Sequence, residues 1–121
     1  MSNSNSSDDL SRPLSSWEKD FLVECKEDHV GIWEAIAIAR EHDPCLGRRP
    51  ILSSIEQLLA DGLIVAGLPA ADWRGFDAWL GTAEFITKRI DREWRGLGHD
   101  PELGDIVWFT TDDAPERPLS A

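Results

Sequence analysis

The chain has 121 residues, with 23 Asp and Glu against 12 Lys and Arg, a formal net charge of -11, 41% hydrophobic residues and six Trp. This length suits one domain with a modest core, and the apolar runs are shorter than the ~20 residues of a membrane span. The acidity opposes binding to polyanions and favours basic partners. No basic start with an apolar block follows Met1, so the sequence predicts a cytoplasmic protein without a membrane partner.

The first two elements are predicted to be helices. Ser15 stands three residues before Glu18, which is the spacing of a capping box, and apolar residues then recur at helical spacing over about 16–27. A second helix is predicted to begin near Ile32. It should end before Pro44, because the residue that precedes a proline is pushed out of helical geometry.

A third helix and a β-hairpin are predicted next. Pro50 suits the first turn of a helix and Gly62 suits its C-terminal end. The apolar, partly β-branched stretch 63–66 predicts a short strand, and 76–80 predicts the strand that returns beside it. The buried side of this third helix is predicted to consist of Ile51, Ile55, Leu58 and Leu59.

The last helix has the clearest periodicity, with Thr82 as its predicted N-cap. Its apolar residues are spaced 3, 4, 4 and 3 apart: Ala83, Ile86, Ile90, Trp94 and Leu97. The aromatic and β-branched stretch 105–111 predicts a final strand. Residues 1–14 and 112–121 have little to bury and are predicted to be disordered tails, which leaves a single domain over 15–111.

Three helices followed by a hairpin resemble the winged helix-turn-helix superfamily. The likeness is carried by 51–62 as the third helix and by 63–66 as the first strand of the wing. The resemblance implies an α+β fold, with a winged-helix-like three-helix core and a β-hairpin. The extra C-terminal helix and strand lie outside that core. The resemblance also implies that the third helix reads the major groove of DNA.

The resemblance therefore supports one functional hypothesis, a DNA-binding transcriptional regulator that acts as a dimer. Polar side chains of the third helix would contact base edges, and nearby arginines would contact phosphates. These residues are Ser53, Ser54, Gln57, Arg48, Arg49 and Arg74. Three arginines per chain are few, since specific binders often make ~6–10 phosphate contacts. Glu56 and Asp61 add further negative charge.

The charge distribution favours a different hypothesis, a non-enzymatic module that binds a basic protein. Residues 17–44 hold eight Asp or Glu against three Lys or Arg. In size and charge the chain is similar to bacterial immunity proteins that neutralise basic nuclease toxins. The simplest alternative is that the acids only keep two helices soluble. The expected partner-binding residues are Glu24, Glu27, Asp28, Glu34, Glu41 and Asp43, with Trp73 as an apolar anchor.

Metal binding and catalysis have little support in the sequence. Cys25, His29, His42 and Cys45 are residue types that bind zinc. The predicted second helix lies between the two pairs and, at ~1.5 Å per residue, separates them by ~18 Å. We therefore expect no metal. The sequence has no evident activated nucleophile and no phosphate-binding glycine motif, so we expect no cofactor and no enzymatic activity.

Two further groups of residues are expected to be structural or solvated. The basic residues of the last helix are interleaved with acids, which predicts a solvated helix face: Lys88, Arg89, Arg92 and Arg95. Trp33, Trp94 and Trp108 fall on apolar faces and are expected in the core. Trp79 is expected either in the core or as an interface anchor.

Overall fold

A computed structural model describes residues 13–71 and 75–111. These residues form four helices and a four-stranded antiparallel sheet, which is the α+β class that the sequence predicts. Nowhere in these two ranges is a helix both long enough and apolar enough to cross a membrane. In chain order the elements are α1 (Ser16–Glu27), β1 (Val30–Gly31), α2 (Ile32–His42), α3 (Arg48–Ala60), β2 (Val65–Pro69), β3 (Phe76–Ala78), α4 (Ala83–Leu97) and β4 (Trp108–Thr110).

The last strand lies inside the sheet, whose strand order is β1-β4-β2-β3. Phe109 of β4 is opposite Val30 of β1 on one side and Ala66 of β2 on the other. The predicted hairpin is present, with Gly67 opposite Ala78. The two-residue strand β1 was not predicted, because a strand this short carries no periodicity that a sequence can reveal. It is held by its pairing with a strand almost eighty residues later in the chain.

The core lies where the helices meet the sheet. Phe21 of α1 and Phe109 of β4 are both 0% exposed, and their rings meet edge to face with centroids 5.6 Å apart. All four helices contribute fully buried side chains, and α1 packs mainly on α2 while α3 packs mainly on α4. One core cluster therefore includes residues of both helix pairs and of the sheet. Among the other fully buried side chains are Ile32, Ile51, Ile55, Leu58, Ile90 and Val107.

The tryptophans expected in the core are only partly there. Trp94 is buried, as predicted, with 4% of its surface exposed. Trp33 and Trp108 are half-buried and meet each other edge to face, with centroids 4.7 Å apart. Trp33 follows β1 and Trp108 begins β4, so the pair lies where these two strands meet. Trp79 is partly buried against the core.

The start of α3 differs in part from the prediction. The helix begins at Arg48, after Gly47 as N-cap, so Pro50 is the third helical residue and lies in the first turn, as predicted. Proline is tolerated throughout the first turn, because the N–H groups there have no partner within the helix. Arg48 and Arg49 consequently belong to the helix, which begins before the 51–62 range that carries the winged-helix likeness.

The end of α3 explains why the next strand begins later than predicted. Gly62 has a φ of 73°, Gly62 N donates to Leu59 O at 3.1 Å, and Leu63 N donates to Leu58 O at 3.0 Å. These two bonds form a Schellman motif, which needs a left-handed residue and fixes the one that follows. Leu63 therefore belongs to the helix end, and β2 begins at Val65 instead of at residue 63.

The last two strands are shorter than predicted. The strand predicted over 76–80 ends at Ala78, and the one predicted over 105–111 begins at Trp108. Val107 N donates to Asp105 O at 2.9 Å, and Ile106 has a φ of 61°, so the chain turns tightly before β4. A β-branched residue with positive φ is uncommon, and the apolar character of 106–107 concealed this turn in the sequence. The predicted tails 1–14 and 112–121 fall almost wholly outside the described residues.

The capping box at the start of α1 is present, as the sequence predicts. Ser15 Oγ accepts from Glu18 N at 3.3 Å, and Glu18 Oε1 accepts from Ser15 N at 2.9 Å. The Glu18 side chain is buried, with 1% exposed. Two backbone N–H groups at the start of α1 are thereby satisfied. Glu18 is therefore one of the chain's many acids, but its carboxylate caps a helix and is not part of the exposed charge.

Replacing the capping hydroxyl should destabilise the domain measurably. We expect Ser15→Ala to lower the free energy of unfolding by about 1 kcal/mol, because the N–H of Glu18 loses its acceptor. Urea unfolding followed by tryptophan fluorescence measures the change. Ser53→Ala is the matched control, since Ser53 is exposed on α3 and makes no hydrogen bond within the described ranges. Equal losses in both variants would contradict the capping role of Ser15.

Candidate functional site

Helix α1 has two exposed edges of opposite charge. Asp20, Glu24 and Glu27 are spaced four and three residues apart, so they lie along one edge. Lys19 and Lys26, with Val23 between them, lie along the other edge. The buried side, with Phe21 and Cys25 among others, separates the two edges at the back of the helix. One helix therefore presents two different surfaces.

The acidic edge of α1 adjoins exposed carboxylates of α2. Glu34 and Glu41 are seven residues apart on α2, and both are exposed. His42 Nε2 lies 2.7 Å from Asp20 Oδ2, which ties the end of α2 to the acidic edge of α1. We use the term acidic surface for these carboxylates together with those that flank them: Asp20, Glu24, Glu27, Asp28, Glu34, Glu41 and Asp43.

All six carboxylates predicted to bind a partner are exposed, but half of them also have local structural uses. Asp28 Oδ1 accepts from His29 N at 2.8 Å, Glu34 Oε1 accepts from Gly31 N at 3.2 Å, and Asp43 Oδ1 accepts from Cys45 N at 3.2 Å. These bonds fix the chain at the helix ends. The other three make no hydrogen bond or ion pair with any residue that the structure describes: Glu24, Glu27 and Glu41.

The bases of the 17–44 stretch leave the acidic surface largely uncompensated. Arg40 Nη1 lies 2.7 Å from Asp100 Oδ2 in the loop after α4, and Arg40 Nε donates to Leu46 O at 2.9 Å. The guanidinium beside Asp100 holds the pKa of that carboxyl below its usual range. Lys19 and Lys26 lie on the other edge of α1, about 100° around the helix from its acidic edge. Two histidines lie beside the carboxylates of the acidic surface in the described chain, because His42 contacts Asp20 and His29 directly follows Asp28.

The four residues that suggested a zinc site do not converge. Cys25 is buried in the core, Cys45 is exposed, and His42 is engaged with Asp20. Burial raises the pKa of the Cys25 thiol strongly, and the negative charges of Glu24 and Glu34 raise it further. Among the described residues no group of three or more His, Cys, Asp or Glu side chains is arranged to hold a metal ion.

The two cysteines should therefore differ sharply in reactivity. We expect one thiol per chain to react with Ellman's reagent in the folded protein at neutral pH, because only Cys45 is accessible, and Cys25 has neither access nor thiolate character. Both thiols should react in denaturant. The absorbance of the chromophore that the reagent releases gives the number of thiols that react. Cys45→Ser should abolish the reaction of the folded protein entirely. Rapid labelling of Cys25 in that variant would contradict its burial.

The polar side of α3 is divided among neighbouring elements. Arg48 Nε lies 2.8 Å from Asp91 Oδ1 on α4, and Gln57 Nε2 donates to Asp61 Oδ1 at 3.1 Å. Arg49 and Ser53 are exposed and line a cleft of about 290 Å³ against α4, together with three carboxylates: Glu56, Glu84 and Asp91. Ser54 is partly buried in a separate cleft beside the start of α1. Arg74, like Trp73, lies outside the described residues.

The basic residues of α4 are largely compensated within the helix. Lys88, Arg89 and Arg95 each form an ion pair with a carboxylate four residues away, over 3.2, 3.1 and 3.2 Å. Arg92 is exposed. The Arg89 guanidinium also lies over the Trp79 ring, 3.6 Å from its centroid, which is a cation–π contact. This helix face accordingly offers little free positive charge.

Comparison with known proteins identifies no relative. No protein-family model, no curated protein and no solved structure matches this chain. The function is therefore inferred from the surface of this chain alone. Sequence reasoning missed Asp20 and His42 as parts of the acidic surface. The spacing of Asp20 to Glu24 and Glu27 was visible in the sequence, whereas the contact with His42 required the packing of α1 on α2.

Proposed function

We propose that this chain is a non-enzymatic protein-interaction module that binds a basic protein through its acidic surface. The observation that supports the proposal most is the exposure of Glu24, Glu27 and Glu41 on adjoining edges of α1 and α2, without hydrogen bonds or ion pairs to other described residues. Exposed carboxylates on two packed helices create a local negative potential when they lack counterions. Such a potential attracts cationic proteins and accelerates their association.

The partner is expected to present a face rich in Lys and Arg that matches the two helices. Small bacterial immunity proteins that neutralise basic nuclease toxins are an example of this class, similar to the chain in size and charge. Inhibitors and adaptors of basic proteins belong to the same class. Interfaces also need apolar anchors, and Trp73 remains the predicted one. Two unpaired thiols suit a reducing compartment, which supports a cytoplasmic location.

Affinity capture tests this proposal. The immobilised full chain is exposed to lysate at about 50 mM salt and washed at about 300 mM, where the screening length is much shorter. We expect the retained proteins to be basic and to be released in the high-salt wash. A parallel capture on the Glu24→Lys/Glu27→Lys variant should lose them. Retention of only neutral or acidic proteins, insensitive to salt, would contradict the proposal.

A winged-helix DNA-binding regulator, acting as a dimer, is the second candidate. It is favoured by the exposure of Arg49 and Ser53 on α3, the helix that the resemblance assigns to the major groove. The other arginine of that helix, Arg48, is engaged with Asp91, and Glu56 lies beside the same cleft. DNA affinity depends on phosphates neutralised by such bases, so the local charge opposes this candidate.

An electrophoretic mobility shift with genomic fragments separates the two candidates. If the chain is a protein-interaction module, no DNA fragment should show a specific mobility shift at low salt. This should hold even under conditions in which two copies of the chain can form a dimer. Retention of particular fragments, with an affinity that falls steeply as salt is raised, would establish the DNA-binding candidate instead. In that case Arg49→Ala should reduce the shift, whereas Arg92→Ala, which removes an exposed arginine of α4, should leave it unchanged.

A further inference from the structure

The basic edge of α1 lies about 100° around the helix from its acidic edge and borders an apolar groove. The groove has a volume of about 440 Å³ and lies between α1 and the turn that joins α3 to β2. Its apolar lining consists of Leu14, Leu22, Val23 and Leu63, and Lys19 and Lys26 line it as well. It shares no residue with the acidic surface, so what it binds is a separate question from the proposed function.

The apolar residues of the groove are unusually open to solvent. Val23 is 54% exposed and Leu63 is 38% exposed, while Leu14 and Leu22 are partly buried and pack against the core. Leu63 is held in position by the Schellman motif, through the bond from Leu63 N to Leu58 O. The groove therefore has a wall fixed by backbone hydrogen bonds. Exposed apolar side chains that adjoin in this way are typical of interaction surfaces.

The charge of the groove is opposite to that of the chain. Among the described residues that line it, Lys19 and Lys26 are the charged ones and none is a carboxylate. Both lysines are exposed, and neither forms an ion pair with any residue in 13–71 or 75–111. They are seven residues apart, which is two helical turns or ~10.5 Å. Although the chain has a net charge of -11, this groove favours an anionic ligand. The ligand should carry negative charges near the two lysines and apolar groups between them.

We propose that the groove binds an acidic amphipathic helix of a partner protein. Two carboxylates of that helix, spaced two turns apart, would face Lys19 and Lys26, and the apolar side chains between them would pack on Val23 and Leu63. A helix fits because two carboxylates seven residues apart on it have the same spacing as Lys19 and Lys26 on α1. Its apolar side chains lie on the same face as these carboxylates. The apolar contacts supply the affinity, and the lysines fix orientation and exclude basic segments.

A labelled peptide tests the proposal directly. The probe is a fluorescein-labelled helical peptide of ~16 residues, with two glutamates seven positions apart and leucines between them on the same face. We expect saturable binding to the full chain by fluorescence anisotropy. Lys19→Glu/Lys26→Glu should weaken it at least about tenfold, and Val23→Ser should weaken it as well. The control Lys88→Glu, a single reversal at an exposed lysine of α4, should bind like the wild type.

Other outcomes would overturn the proposal. Absence of saturable binding would do so, as would equal losses in the groove variant and in Lys88→Glu, with circular dichroism confirming that both are folded. Neutralising the acids that follow Thr111, with Asp112→Asn/Asp113→Asn/Glu116→Gln, should leave binding unchanged. A gain of about tenfold or more would identify the chain's own C-terminal segment as the occupant. A dimer in sedimentation that dissociates in Lys19→Glu/Lys26→Glu would identify a second copy.

Discussion

Phe109→Ala should lower the free energy of unfolding by about 3–5 kcal/mol, the largest effect on stability that we expect from one substitution in this chain. Phe109 is 0% exposed, lies on the strand that pairs with both β1 and β2, and meets Phe21 of α1 edge to face. Removal of the ring leaves a cavity where the sheet meets the helices. Domains of this size are stable by about 5–15 kcal/mol, so the loss is a large fraction of the total.

The chain offers a matched control for this substitution. Phe85 is also a phenylalanine, but it is 61% exposed on α4. Phe85→Ala should change the free energy of unfolding by no more than about 0.5–1 kcal/mol, because little apolar area is lost from the folded state. Urea unfolding monitored by far-ultraviolet circular dichroism compares the two. If both variants lost the same stability, Phe109 would not be the centre of the core.

The elements that the sequence predicted best are those with local signals. α1 begins and ends where the capping box and the apolar spacing predict, and α4 follows from Thr82 and the 3, 4, 4, 3 spacing. Phe85 N donates to Thr82 Oγ1 at 3.1 Å, so the predicted cap is formed. These features involve residues within one or two turns of each other. Their physical causes are therefore contained in any short window of the sequence.

The features that the sequence did not reveal depend on distant residues. β4 lies inside the sheet because it pairs with β1 as well as with β2. β1 has only two residues, so the sequence does not reveal this pairing. The ion pair between Arg48 and Asp91 spans 43 positions, and the contact between Asp20 and His42 spans 22. Arg48 looked like a free phosphate contact only because its partner lies on another helix. Pairings of this kind follow from packing and not from local propensity.

The candidate surfaces likewise combine features that the sequence predicted with features that depend on distant residues. The exposure of the six acids was predictable, because charged residues at helical spacing opposite an apolar face remain in solvent. The opposite charges on the two edges of α1 were also present in the spacing of Lys19, Val23 and Lys26 to the acids. The groove was not predictable, since Leu63 joins it only through the end of α3. Helix α1 thus contributes to a surface that favours basic segments and to a groove that favours acidic ones. This arrangement suits a module that contacts more than one segment of a partner.

Glu24→Lys/Glu27→Lys should weaken the association of the chain with a captured basic partner by about tenfold or more, mainly through a slower association rate. Both carboxylates are exposed and lack hydrogen bonds and ion pairs within the described chain, so their reversal costs the fold little. It replaces attraction by repulsion at the middle of the acidic surface. Surface plasmon resonance at low and at physiological salt measures the rates, and the difference between variant and wild type should shrink as salt is raised.

Net charge alone must be separated from the position of the charges. Asp77→Lys/Glu84→Lys alters the net charge equally, from -11 to -7, because each reversal adds two charges. Asp77 and Glu84 are exposed on β3 and α4, and neither belongs to the acidic surface. Since steering depends on the local potential where the partner docks, this control should keep most of the association rate. If both double variants slowed association equally, the acids would act only through total charge, and no particular surface on α1 and α2 would bind the partner.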